Sequence, residues 1–189
     1  MSFLLRPTPA AARRAFLGRS TGLLSGAAVA LLAGKHALAA RAGDAGPGDA
    51  QILNGALASE LEAIAAYQLG ADSRLLHKPA LDLALTFQGH HKAHAAVLAK
   101  TVETLGAEAV APKPKYDFPV AQLKSQADVL RFAARLEQGA VSAYLGAVPL
   151  FGDRELARVA ASILGDEAMH WAALRQALGQ APVPVAFVS

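Results

Sequence analysis

One spacing occurs twice in this chain, and it demands helices that carry ionisable groups on their buried faces. Glu60 is followed seven residues later by Tyr67, and then by the pair His91 and His94. Glu137 is followed seven residues later by Tyr144, and then by the pair Glu167 and His170. Residues three apart share one face of a helix. Each half therefore supplies one Glu on a first helix and a three-apart donor pair on a second. Four-helix bundles hold two metal ions in their core by this arrangement, with one Glu from each of two helices and a Glu-x-x-His pair from each of the others. The exception is His91, which stands where that pattern has Glu.

The apolar pattern shows which of these side chains point inward. Leu53, Leu57, Glu60, Ile64 and Tyr67 recur at three- and four-residue steps, as do Ala80, Ala84, Phe87, His91, His94 and Leu98. The third stripe is Leu130, Ala133, Glu137, Val141 and Tyr144; the fourth runs Leu156, Ala160, Ile163, Glu167, His170, Leu174 and Leu178. Such steps mark one face of a helix. Glu62 falls off its stripe and reads as a solvated carboxylate, and His90 lies about 100° around the helix from His91. An unpaired carboxylate is costly to bury and persists only when paired or metal-bound. A single Glu or His on an apolar stripe is often a boundary or hydrogen-bonded residue, but six at repeated spacing favour a metal site over a network of internal salt bridges. Tyr67 and Tyr144 are the candidate catalytic residues, in a redox or ligand-supporting role. The plainer alternative for both is core packing with a tethered hydroxyl.

The first forty residues differ in kind. Residues 1–39 contain Arg6, Arg13, Arg14, Arg19 and Lys35 and no acid. Arg13-Arg14-Ala15-Phe16-Leu17 precedes a weakly apolar, glycine-rich run and then Ala37-Leu38-Ala39, a small-x-small cleavage pattern. This resembles a bacterial twin-arginine export signal, and the run is too short and glycine-rich to read as a membrane span. Export by that route implies contact with the twin-arginine translocase and a periplasmic location. Five of the 18 basic residues lie in this segment, which leaves 13 against all 15 acids, a formal charge of −2. The basic pI of the whole chain thus belongs to the leader, and no basic cluster remains to suggest nucleic acid. The chain has no Cys, which excludes disulfides, thiolate metal sites and iron–sulfur clusters.

Punctuation divides the remainder. Residues 40–48 read as a flexible lead-in, 49–180 as an all-α bundle and 181–189 as an extended tail. A short turn over 72–78 with Pro79 behind it separates the first two helices, and Gly106 stops the second. Residues 107–124 contain Pro112, Pro114 and Pro119 and form a long link. Ser125 with Asp128 resembles a capping box for the third helix, Asp153 caps the fourth and Gly179 ends it. Two tight hairpins joined by a long crossover define an antiparallel four-helix bundle with a long connection between its second and third helices.

Ile52-Leu53-Asn54-Gly55-Ala56-Leu57 through Tyr67, His91-Lys92-Ala93-His94 and Ile163-Leu164-Gly165-Asp166-Glu167-Ala168-Met169-His170 together resemble the bacterial ferritin-like domain family, over residues 49–178. The resemblance implies the ferritin-like fold, with Glu60 and Glu137 as terminal carboxylates, Glu167 as a bridge and His94 and His170 as one imidazole per ion. It implies two iron ions, with manganese, zinc or copper as alternatives, and ferroxidase- or peroxidase-like chemistry or plain metal binding. His91 departs from the family pattern. A carboxylate bridges two ions with two oxygens, whereas a neutral imidazole has one free lone pair, so the second bridge is lost and three carboxylates leave a net +1 with two divalent ions. Three His with three Glu suit iron, zinc, copper and nickel better than magnesium or calcium. The tail holds two prolines and supplies no fifth helix, which points to a monomer or homodimer rather than a cage.

Overall fold

The computed structural model describes residues 47–188; residues 1–39, read above as an export signal, nearly all of the expected lead-in and Ser189 lie outside the described residues. Four α-helices account for most of the described residues: α1 (Pro47–Asp72), α2 (Lys78–Thr104), α3 (Gln126–Ala147) and α4 (Arg154–Ala177). Among the described residues there is no strand. Short 3-10 turns at Val120–Gln122 and Val148–Leu150 precede and follow α3.

The punctuation works locally as its chemistry requires. Ser125 accepts from the backbone N–H of Asp128 and caps α3, and Asp153 accepts from the N–H groups of Glu155 and Leu156 and caps α4. Gly106 and Gly179 take positive φ, 79° and 71°. The amides that follow them reach back to Val102 and Arg175 carbonyls, the closure by which a left-handed residue ends a helix.

Three hydrogen-bonded contacts fix the helix directions. Asn54, near the start of α1, bonds to the Glu108 carbonyl and the Val110 amide just beyond the end of α2. Gln126, at the start of α3, accepts from the His77 amide before α2, so the link between α2 and α3 runs the length of the bundle. Asp49 accepts from the Gly152 and Asp153 amides at 2.8 and 3.0 Å, which places the start of α4 beside the start of α1. Thus α1 and α4 run one way, α2 and α3 the other, and the hairpin pairs α1–α2 and α3–α4 form the main packed interfaces.

Helix α1 begins two residues earlier than the sequence reading placed it, and Asp49 explains why. Its side chain is only 3% exposed, because it serves a turn a hundred residues away. Replacing Asp49 with Ala strands two amide donors, and a loss of about 3 kcal/mol is expected, seen as a lower thermal midpoint with unchanged helical content at low temperature.

The four stripes meet as a core in which polar groups occupy a middle layer. Leu53, Leu57, Leu98, Val102 and Leu156 fill the end nearest the start of α1, and Tyr67, Ala84, Phe87, Leu130 and Leu174 fill the other. Between these layers Glu60, His91, Glu137, Glu167 and His170 are each no more than 2% exposed. Water is thereby excluded from above and below the middle layer.

Candidate metal centre

All six predicted ligand residues converge in that layer. Glu167 stands at its middle and turns one oxygen to each side. Its Oε1 lies 3.1 Å from His94 Nδ1, and its Oε2 lies 3.3 Å from His170 Nδ1. Glu60 joins the first side, with Oε2 3.5 Å from His94 Nδ1; Glu137 joins the second, with Oε1 3.6 Å from His170 Nδ1. The repeated spacing in the sequence has become two facing half-sites that share one carboxylate.

His91 lies across the two halves rather than in one of them. Its Nδ1 is 2.8 Å from Glu60 Oε2 and its Nε2 is 3.3 Å from Glu137 Oε1. A neutral ring still has one lone pair for one ion, but both nitrogens reach carboxylates, one in each half. Reciprocity extends to the tyrosines. Tyr67 on α1 donates to Glu137 on α3, and Tyr144 on α3 donates to Glu60 on α1 at 2.6 Å. Each heptad Tyr therefore serves the Glu of the opposite half, a pairing invisible in sequence.

Sequence reasoning missed Asp166 and His90. Asp166 Oδ2 lies 3.2 Å from His170 Nε2 and 3.4 Å from His94 Nε2. Both imidazoles thus present Nδ1 to the core and Nε2 to one outer carboxylate, which fixes ring orientation. The signal available in sequence was the doublet: Asp166 precedes Glu167 as His90 precedes His91, and a step of about 100° on facing helices leaves both within reach of the seam. Asp166 also supplies a fourth carboxylate close to the site, so the charge deficit inferred from the ligands alone is smaller than it looked.

The electrostatics are those of a closed network. Burial alone would lower the His91 pKa, but hydrogen bonds to Glu137 and Glu60 outweigh it and raise it to about 9. His94 and His170 face the same opposition between burial and carboxylates, Asp166 foremost, and rise to about 11. Burial would raise the Glu60 and Glu137 carboxyls, yet the imidazoles bring both below their ordinary values. Asp166 is held low chiefly by His170 and His94. Burial first, and then their glutamate partners, push both tyrosines up, so their phenols stay protonated as donors.

These directions predict a pH profile for the metal-free protein. The raised imidazoles contribute stability fully below their ordinary pKa of 6.5 and lose it as pH climbs through 9 towards 11. The depressed glutamates contribute above 4.5 and lose it as pH falls. Urea midpoints of chelator-treated protein should therefore peak between about pH 4.5 and 6.5 and fall steadily from 7 to 10. A flat profile over that upper range would contradict the network.

Three buried polar atoms nevertheless find no hydrogen-bond partner: His94 Nδ1, Glu137 Oε2 and Glu167 Oε1. His94 Nδ1 and Glu167 Oε1 are close but not aligned for a hydrogen bond. Buried polar atoms are normally satisfied. These three sit within two overlapping donor groups, Glu60, His91, His94 and Glu167, and His91, Glu137, Glu167 and His170. Their placement and nitrogen–oxygen chemistry fit a transition-metal ion in each half. From the α1–α3 side a cavity of about 210 Å³ ends on Glu60, His91 and Glu137. Its walls include the small residues Ser59, Ala63, Gly139 and Ala140, and Glu62, read as an ordinary solvated carboxylate, lines it as well.

A four-helix bundle whose every packed pair is antiparallel, with carboxylates and imidazoles converging in its middle layer, defines a bundle-core metal-site architecture. The chain belongs to the ferritin-like domain family, whose model matches residues 48–180. Among solved structures it is similar to a conserved hypothetical protein, rv2844, from Mycobacterium tuberculosis, at 24% identity and a TM-score of 0.64 over 74% of this chain and 96% of that one. It is also similar to ferritin-like, diiron-carboxylate proteins from Bacillus anthracis strain Ames, at 21% identity and a TM-score of 0.59 over 69% of this chain and 94% of that one. At these identities the likeness establishes the fold. No curated protein matches the chain.

Proposed function

We propose that the protein is an exported metalloprotein that holds a dinuclear iron centre in its bundle core and uses it for redox chemistry with oxygen or peroxide. The observation that carries this reading is Glu167, fully buried, with one oxygen turned to each half-site and Oε1 without a hydrogen bond. Glu60 and His94 would hold one ion, Glu137 and His170 the other, and Glu167 both. The mixed carboxylate and imidazole donors suit iron as they suit zinc and copper, and iron is preferred because one structural relative is described as a diiron-carboxylate protein. When bound, iron supplies one-electron exchange with a small oxidant.

The chain's own residues do the rest. The α1–α3 cavity admits a small molecule to the faces of Glu60 and Glu137. Tyr67 and Tyr144 hold those two carboxylates through their hydroxyls and keep a proton beside each. Asp166 orients His94 and His170. Apolar layers above and below close the site along the bundle axis, so the α1–α3 cavity is its approach from that flank. The Arg13-Arg14 leader supports folding around metal before translocation, with the periplasm as the working compartment.

A second reading has support of its own: the polar layer also pairs with itself, His91 with Glu60 and Glu137, and Asp166 with His94 and His170. In that case the protein is a non-catalytic metal-binding or structural bundle. Elemental analysis of periplasmic protein purified without chelator separates these readings. About two irons per chain, reoxidised by peroxide or oxygen after anaerobic reduction, supports the redox centre. Bound metal without redox cycling supports a binding role, and metal-free folded protein supports the structural one.

A further inference from the structure

The α2–α4 flank, opposite the cavity, carries a second constellation. His90 Nδ1, Asp166 Oδ2 and His170 Nε2 form a triangle with sides of 2.9, 3.1 and 3.2 Å. Donors bound to one ion at about 2.0–2.2 Å stand roughly 3 Å apart, so this triangle already has the spacing of three ligands on one face of an ion. The His90 side chain is 45% exposed and that of Asp166 23%, which leaves further coordination positions to water. Two imidazoles and a carboxylate suit divalent transition metals.

His170 belongs to both constellations through different atoms: Nδ1 faces Glu137 and Glu167, and Nε2 faces His90 and Asp166. A neutral imidazole has one lone pair and one N–H. When Nε2 binds an ion outside, Nδ1 carries the proton and points it at the core carboxylates. When Nδ1 binds an ion inside, Nε2–H donates to Asp166. The two occupancies therefore exclude each other at this ring. We propose that His90, Asp166 and the Nε2 edge of His170 form an outer loading site, which captures one divalent transition-metal ion from solvent and passes it to the core. On transfer the ion moves from Nε2 to Nδ1 and the ring proton moves the opposite way, so ring charge is unchanged. The proposal rests on the core being a metal centre.

Zinc(II), which has no redox chemistry, is the probe. Chelator-stripped mature protein is compared with His90→Ala and His90→Gln, the second of which keeps a hydrogen-bonding side chain. Stopped-flow competition against a chromophoric chelator measures uptake, and dialysis with elemental analysis measures the final stoichiometry. Both variants are expected to reach the natural stoichiometry about tenfold more slowly. Natural loading rates in His90→Ala overturn the proposal and leave the core reading intact. Natural rates in His90→Gln alone also overturn it, since hydrogen bonding rather than coordination would then be the role. A variant weakened inside, Glu60→Gln with Glu137→Gln, should retain one zinc that the further change His90→Ala removes. If the natural protein behaves like that double variant, holding one His90-dependent zinc, the core reading fails and the loading role is overturned with it, leaving His90, Asp166 and His170 as a terminal binding site. Absence of zinc from every protein overturns both.

Discussion

Replacing Glu167 with Gln is expected to weaken both halves of the centre together, by at least about a hundredfold in metal affinity, since ligands count for more than the outer partners whose loss costs 10–100-fold. The expectation follows from placement. Among the described residues, Glu167 is the one carboxylate whose two oxygens face different imidazoles, 3.1 Å from His94 and 3.3 Å from His170. Gln keeps the volume but removes the charge and one acceptor. Glu60→Gln provides the contrast, because Glu60 reaches His94 and His91 but not His170, so that change should weaken one ion and spare the other. The metal-free form should suffer as well. Removing one partner of a buried ion pair costs about 3–5 kcal/mol, and Glu167 is 0% exposed. Calorimetric titration of each variant with zinc, and urea denaturation of the stripped proteins, check the two parts separately. A Glu167→Gln protein that loses one ion and holds the other at natural affinity would mean that Glu167 serves one side only.

How far the sequence reached can be read from individual residues. The fold was legible because local signals agreed: four stripes of helical period, caps at Ser125 and Asp153, stops at Gly106 and Gly179, and one proline-rich link. Each is a near-neighbour effect that needs no tertiary knowledge. The inward direction of Glu60, Glu137, Glu167 and His170 was legible for the same reason, since a stripe fixes which face is buried. Azimuth across the seam was not. Asp166 and His90 lie one residue off their stripes, and only the approach of α2 to α4 brings both against His170. Asp49 was read at the edge of a loose lead-in because its partners, the amides of Gly152 and Asp153, lie a hundred residues away. The crossed Tyr–Glu pairs were half visible: the seven-residue spacing marked Tyr67 and Tyr144, but a sequence pairs each with its own helix, whereas the structure pairs each with the other. His91 is the sharpest case, because its identity was plain while its placement across both halves depends on three other helices.

That placement makes His91→Glu the most informative single change. In the natural protein the ring ties Glu60 and Glu137 together through its two nitrogens, and those are the carboxylates that would hold the two ions. Loading must break that tie. A glutamate at this position would offer one oxygen to each half, as Glu167 does, and restore the symmetry of two bridges. Charge argues in the same direction but less strongly than a count of ligands suggests, because Asp166 already stands behind both outer imidazoles. The expected result is two opposed effects. In the metal-free state the substitution adds a fourth buried carboxylate to Glu60, Glu137 and Glu167 and removes an imidazole with a pKa of about 9, so stability falls by about 3 kcal/mol or more at neutral pH. In the loaded state the second ion is held about tenfold more tightly than in the natural protein, or about 1.4 kcal/mol. Anaerobic ferrous titration of both proteins, with equivalents counted and stepwise affinities compared, measures the second effect; urea midpoints of the stripped proteins measure the first. Should the natural protein already bind two irons as tightly as the variant, the imidazole is no obstacle to a dinuclear site and the lost bridge has no consequence there. A variant more stable than the natural protein when stripped would show instead that His91 does not act as the internal cation of the empty site.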